Sequence, residues 1–309
     1  MGPRVLFISK GTNRSALSPI IRSQLNSLLE SNIKVDHFLI NGKGLNSYFK
    51  SIPSLSRKLR SKKYDIVHIH FSYSAIPYLF LRKKPWIVSF MGSDLKRSKL
   101  NLIFSKLISY MANASIVKSN EMKDLLNRPC QIIPNGVDVS KFKPINKIEA
   151  KSQLGWDITK KQLLFAANAK RPEKNFKLTT DALALLSRND VELKTLVNVA
   201  HDEMPIYMGG ADVVVLSSKY EGSPNVVKEA LACNRPVACT DVGDVRENFE
   251  DIEGVYIASH TADSLMVCIK SALSHSDSKG REYIINYLSN ATISEKLVSL
   301  YEHIIDENK

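Results

Sequence analysis

Residues 220–232 read Tyr-Glu-Gly-Ser-Pro-Asn-Val-Val-Lys-Glu-Ala-Leu-Ala, directly after Ala211-Asp212-Val213-Val214-Val215-Leu216-Ser217-Ser218. The valine run is short, apolar and β-branched, which predicts a buried strand, and Gly209-Gly210 before it reads as a turn. Ser223 and Pro224 have the chemistry of a helix start. A serine oxygen accepts first-turn amides, and proline has no amide to leave unpaired. A strand, a glycine-bearing loop and a helix start together predict an anion site, because first-turn N–H groups and the helix dipole favour a phosphate. Glu221 falls on the loop above that site and Glu229 more than one turn into the helix. Each carboxylate accepts two hydroxyl hydrogen bonds, so the pair suits a sugar joined to a nucleoside diphosphate. Taken alone, two glutamates at this spacing are more often a solvated helix face.

Outward from this stretch, strands and helices alternate. In the first half, residues 4–9, 34–40, 65–70 and 86–90 read as strands and residues 18–31 as a helix. Residues 100–111 form a second helix with apolar side chains at 100, 103, 104, 107, 108 and 111, a 3.6-residue stripe. The second half repeats the pattern, with strands over 163–167, 193–197, 213–217, 237–240 and 254–257, a helix from about 177 to 187, and a terminal helix over about 294–306. Alternation with short connections predicts parallel, doubly wound α/β sheets, with ligands outside the carboxyl ends of the strands. There Gly11 could permit close approach of a sugar or a diphosphate, or be only a turn residue. His68 and His70 are expected to divide between the two faces of their strand. His70, at its end, is the better ligand contact, with a satisfied structural histidine as the alternative.

Embedded in its context, the Glu221–Glu229 spacing resembles the Glu-x7-Glu signature of retaining glycosyltransferases of family 4, the "glycosyl transferases group 1". The resemblance implies the GT-B fold: two Rossmann-like doubly wound domains facing across a cleft. Three further segments carry it in order. Phe90-Met91-Gly92-Ser93-Asp94 resembles a Gly-Ser-Asp loop of the first domain, with Met91 where many relatives have histidine. Ile132-Ile133-Pro134-Asn135-Gly136-Val137-Asp138 resembles the entry to the second domain, and Asn-Gly there demands a turn with positive φ. Leu-Leu-Phe-Ala-Ala-Asn-Ala-Lys-Arg-Pro-Glu-Lys-Asn, residues 163–175, resembles the strand and loop that hold the donor diphosphate. Lys174 matches the family's phosphate-neutralising lysine. Asn168 stands where its arginine is expected, so Arg171, or Lys170, is the replacement cation. By this resemblance Lys174 and Glu221 are the catalytic pair. Asn168, Arg171, Gly222, Ser223, Pro224, Asn225, Val226 and Glu229 complete the donor site, with Glu221 on the sugar and Glu229 on the ribose. Gly11, Thr12, Asn13, His70, Gly92, Ser93 and Asp94 form the acceptor site. Glu247 resembles a recurring position behind the site and is read as structural.

The domains are expected at 1–138 and 139–291, with a terminal helix over about 292–306 packing back on the first. The second domain is expected to be shortened, because the glycine loop, helix and strand of longer relatives have no counterpart between Leu186 and Asp212. Residues 1–145 hold 24 Lys and Arg against 7 Asp and Glu and the remainder 19 against 24, so +17 and −5 make up the net +12. A basic half attracts an anionic surface. No nucleic-acid-binding signature accompanies it, so the alternatives are a merely solvated basic face and the inner face of a membrane, which is the better account for an enzyme with a lipid-linked acceptor. Four cysteines without metal-ligand spacing predict reduced core thiols and no zinc, and no Asp-x-Asp indicates a divalent-metal site. No cofactor is expected. The chain lacks a leader-like apolar start or a run of about 18–20 apolar residues, so the expectation is a cytoplasmic protein, peripheral at the inner membrane face. The function implied is metal-independent, retaining transfer of a hexose from a UDP- or GDP-linked donor to a glycan or polyprenyl-linked acceptor. The alternative is a GT-B scaffold that binds nucleotide sugars with little turnover.

Overall fold

A computed structural model describes residues 2–11, 17–82, 84–196 and 199–309. The chain divides into two compact units, Met1–Gly136 with Asn290–Lys309, and Val137–Ser289. The first holds a parallel sheet in the order β2-β1-β3-β4-β5-β6, formed by Arg4–Lys10, Lys34–Ile40, Ile66–His70, Trp86–Ser89, Ala114–Val117 and Gln131–Ile132 as β1 to β6. The second sheet, in the order β11-β10-β9-β7-β8, uses Lys161–Phe165, Val191–Thr195, Val213–Leu216, Val237–Thr240 and Val255–Ala258 as β7 to β11.

Each sheet is covered on both faces by helices, so its central strands are largely apolar, and side chains alternate between two cores. On β1, Val5 and Phe7 pack with Ile21, Leu28, Leu297 and Tyr301. Leu6 and Ile8 point the other way, towards Leu55, Tyr78, Ile108 and Met122. In the second unit Leu163, Val213 and Val215 meet Leu178 and Ile269 on one face. Leu164, Val214 and Leu216 meet Met208, Val227 and Leu231 on the other. The terminal helix Asn290–Glu307 joins the first unit by packing on helix Pro19–Glu30. Ser294 Oγ donates to Ser27 Oγ at 2.7 Å, and Ser27 Oγ donates to the Asn290 carbonyl at 2.9 Å. Among the described residues no helix is long and apolar enough to cross a membrane.

Four local expectations are corrected. Neither Asn135 nor Gly136 has positive φ. Gly136 is needed for closeness instead: a Cβ there would stand 2.9 Å from Asn290 Cα and 3.1 Å from its nitrogen, where the chain returns. One residue further on, Val137 N–H donates to the Leu288 carbonyl at 2.9 Å and Val137 pairs with Ser289. Gly209 and Gly210 are not a turn but the end of helix Met204–Gly210, packed on Ile145 and Trp156. Helix Lys99–Met111 has the predicted extent, but its stripe is split: Phe104, Ile108 and Met111 pack on the core, whereas Leu100, Ile103 and Leu107 are exposed.

His68 and His70 do not divide between faces. Residues two apart on a strand share a side, and their rings stack at 4.2 Å beside Phe7. His68 is satisfied by the Tyr301 hydroxyl at 2.6 Å and the Ser89 hydroxyl at 2.7 Å, whereas His70 Nε2 is buried with no hydrogen-bond partner. Burial, reinforced by Lys118, pushes His70 down to about 3. Burial, with His70 and Lys118, holds His68 well below the ordinary imidazole value.

Gly136→Ala therefore overpacks against backbone that cannot swing away and should cost about 1–3 kcal/mol of unfolding free energy in urea titration; an unchanged midpoint would contradict the close approach. The histidines also set a pH dependence. Both stay neutral when folded but take up protons when unfolded below about pH 6.5, so stability is lost as pH falls. Asp94 has the opposite sign, since burial raises its carboxyl to about 6. The two histidines outweigh it, so stability falls as pH drops from about 6 towards about 4. His70→Asn should flatten that slope in urea titrations across the window, and a slope identical to wild type would refute the assignment.

Candidate functional site

The second sheet reverses its winding at β7. The chain leaves β7 for β8 on one side, then returns to β9 on the other, so the loops after β7 and β9 part and open a crevice at the carboxyl edge. The two glutamates and the lysine singled out by sequence lie on these connections. Lys174, in the short helical turn Pro172–Lys174, reaches across so that its Nζ stands 2.5 Å from Glu221 Oε1. Ser218 Oγ donates to the same carboxylate oxygen at 2.7 Å. The loops are also stitched together: Ser217 Oγ donates to the carbonyls of Lys174 at 3.1 Å and Asn175 at 3.0 Å, and Lys219 N–H donates to the Glu173 carbonyl at 2.8 Å. The ammonium and carboxylate are thus held in place by backbone contacts rather than by their own flexible stems. Ser217 and Ser218 were not singled out by sequence; the signal available was their position just past a parallel strand.

The helix following Glu221 starts one residue later than predicted. It spans Asn225–Ala232 with Pro224 at the cap position, so Ser223 is not its cap. Instead Ser223 Oγ donates to Asp244 Oδ2 at 2.6 Å and accepts from the ammonium of Lys228, itself 3.5 Å from Asp244. All three side chains are buried, and burial holds Lys228 below the ordinary lysine value against the pull of Asp244. Gly243, at φ +64, lets the loop after β10 close on Gly222, since a Cβ would stand 2.8 Å from the Gly222 carbonyl oxygen. Val226 is half-buried on the first turn, and Asn225 Oδ1 there is buried with no hydrogen-bond partner. Glu229 is 6% exposed, and its carboxylate meets His201 Nε2 at 3.0 Å. His201 is thus a further member of the site, itself set against the Phe142 ring at 5.5 Å.

The replacement cation does not join this group. Arg171 is exposed and its Nε donates to Glu173 at 2.7 Å. Asn168 and Lys170 are exposed, and the Asn168 side chain accepts from Lys170 N–H at 2.9 Å, shaping its own loop. Glu247 is exposed on the short helix Val245–Phe249. Among the described residues no group of three or more His, Cys, Asp or Glu could hold a metal ion.

In the first unit, Gly11, His70 and the 92–94 loop follow β1, β3 and β4 at one carboxyl edge. Thr12 and Asn13 lie outside the described residues. Gly11 N–H is spent on the Ile40 carbonyl at 3.0 Å. Asp94 is fully buried and serves its own loop, accepting from Met91 N–H at 2.9 Å and Ser72 N–H at 3.4 Å. Gly92 is buried and Ser93 exposed. His70 Nε2, Ser9 Oγ and Ser72 Oγ are all buried here without hydrogen-bond partners. Between them Phe71 adopts φ +76, a strained conformation for a bulky side chain that costs about 1–3 kcal/mol. Sequence alone carried no sign of it.

Known proteins share this architecture and these segments. Residues 162–275 match the model described as "Glycosyl transferases group 1", and residues 20–141 match "Glycosyltransferase Family 4". An Escherichia coli UDP-Gal:alpha-D-GlcNAc-diphosphoundecaprenol alpha-1,3-galactosyltransferase is 30% identical, over 62% of this chain and 62% of its own length. The chain spans about three fifths of the length of the curated relatives it matches. Among solved structures, a sucrose-phosphate synthase from Thermosynechococcus elongatus superposes with a TM-score of 0.83 at 16% identity, over 99% of this chain and 100% of that one. The Anabaena Alr3699/HepE protein, in complex with UDP and glucose, superposes with a TM-score of 0.75 at 16% identity, over 97% and 100%. With two parallel doubly wound units and both halves matched, the chain belongs to the group 1, family 4 glycosyltransferases of GT-B fold.

Proposed function

We propose that the chain transfers a hexose, with retention and without a metal ion, from a UDP- or GDP-linked donor to a glycan or lipid-linked acceptor in cell-surface polysaccharide biosynthesis. The observation that carries this reading is the Lys174–Glu221 contact at the reversal point of the second sheet. A diphosphate entering there meets the Lys174 ammonium and the start of helix Asn225–Ala232, which lie ready before the charge develops. Glu221, already oriented by Ser218, takes the sugar hydroxyls, and Glu229, steadied by His201, takes the ribose. The bond between the anomeric carbon and the diphosphate oxygen breaks. The acceptor oxygen bonds to that carbon on the same face, and its proton passes to the departing phosphate. Lys174 supplies the positive charge that this departure requires, which supports independence from a metal. His70 and the loop of Gly92, Ser93 and Asp94 are assigned to the acceptor, with Gly11, Thr12 and Asn13 beside them. The relative from Escherichia coli acts on a diphosphoundecaprenol acceptor by its name. A lipid-linked acceptor here places the protein at the inner membrane face, in keeping with its basic first half.

Lys174→Ala and Glu221→Ala should each reduce transfer at least about a hundredfold with little change in unfolding free energy, and chelation by EDTA should leave the rate unchanged. Full activity in either variant removes the mechanism. Donor hydrolysis without acceptor separates an enzyme from the binding scaffold suggested by Asn168, Met91 and the Arg171–Glu173 pair: an inert scaffold shows none. The buried Lys228–Ser223–Asp244 group fixes the 222–224 loop. Lys228→Met leaves the Asp244 carboxylate without its cation and should cost about 3–5 kcal/mol in urea unfolding. Adding Asp244→Asn should restore part of it, which a plain packing defect would not allow.

A further inference from the structure

Helix Lys99–Met111 is apolar on more than its inner side. Inward, Ile108 is buried in the core beside Leu102, Phe104 and Met111, while Ser105 Oγ donates to the Asp94 carbonyl at 3.0 Å, Ser115 Oγ donates to Ser109 Oγ at 2.9 Å, and Phe104 stacks on Tyr73 at 4.8 Å. Its outward face carries Leu100, Ile103, Leu107 and Tyr110, exposed by 77%, 64%, 53% and 70%. Steps of three and four residues align these four on one side of the helix. Single exposed apolar residues are common on protein surfaces, whereas a continuous stripe of them marks an interaction face.

The charge around the stripe selects its occupant. From Leu95 to Asn120 the chain has no aspartate or glutamate. At 3.6 residues per turn Lys99 and Lys106 lie on the flank beside Tyr110, and the Arg128 guanidinium sits 4.9 Å from the Tyr110 ring centre. An apolar strip edged by cations and by a tyrosine matches the boundary between anionic lipid headgroups and acyl chains. A second copy of the same face would set these lysines against one another with no acid on the helix to answer them.

We propose that this face docks on an anionic bilayer surface, with Leu100, Ile103 and Leu107 entering the headgroup–acyl boundary and Lys99, Lys106 and Arg128 at the level of the lipid phosphates. The inference deepens the lipid-linked acceptor reading by naming the surface through which the first unit reaches its acceptor. The test is co-sedimentation of the full chain with vesicles of phosphatidylglycerol and phosphatidylcholine in equal parts, against vesicles of phosphatidylcholine alone. Wild type should bind the anionic vesicles at least about tenfold more tightly. Ile103→Asn/Leu107→Asn should weaken that binding about tenfold or more, and Lys99→Gln/Lys106→Gln should erase the preference for anionic lipid. Acceptor-free donor hydrolysis, which draws on Lys174 and Glu221, should be the same in these variants as in wild type. Vesicle binding unaffected by the asparagine pair overturns the proposal, as does a wild-type dimer in light scattering that the pair converts to monomer. Absent hydrolysis beside normal vesicle binding would instead count against the donor reading alone.

Discussion

An ammonium and a carboxylate held 2.5 Å apart, on loops leaving neighbouring parallel strands, concentrate what is chemically particular about the second unit. A sheet covered on both faces leaves its ligands only the strand ends. At the reversal between β7 and β9 the two loops are cross-linked by the Ser217 hydroxyl and the Lys219–Glu173 backbone bond. Beneath, a buried cation, hydroxyl and carboxylate join the loops after β9 and β10. Buried charge of this kind is weak evidence for stability. Its value here is geometric, since it leaves the Gly222–Pro224 backbone few alternatives.

Sequence was most informative where local and global demands coincide. Val237–Thr240 was legible residue by residue, because a short apolar run bounded by turns has few other uses, and Lys34–Ile40 was legible from its place between a helix and a turn. Glu221, Glu229 and Lys174 were legible because their neighbours hold a recurrent spacing. Errors arose where a side chain has two plausible partners. Ser223 has the chemistry of a helix cap, yet its hydroxyl is turned to the buried carboxylate of Asp244, 21 residues further on. Asn135-Gly136 has the chemistry of a turn, yet the glycine makes room for a backbone more than 150 residues away. Such partners are long-range, and no local pattern announces them.

The helix Lys99–Met111 shows a different limit. Periodicity reports that one side of a helix is apolar, and it is silent on which medium that side faces. Here Phe104, Ile108 and Met111 meet the core, and the rest of the stripe, Leu100, Ile103 and Leu107, turns outward. His68 and His70 illustrate the reverse: two polar rings drawn into a core, one fully satisfied by Tyr301 and Ser89, the other left with an unanswered nitrogen at the strand end.

The pairing of Val137 with Ser289, beside the approach of Gly136 to Asn290, means that the second unit is a single uninterrupted segment whose two ends emerge side by side. A segment with adjoining ends can be spliced into or out of a host chain without stretching either. The second unit is thus one continuous insertion in the chain of the first, entered and left at neighbouring residues.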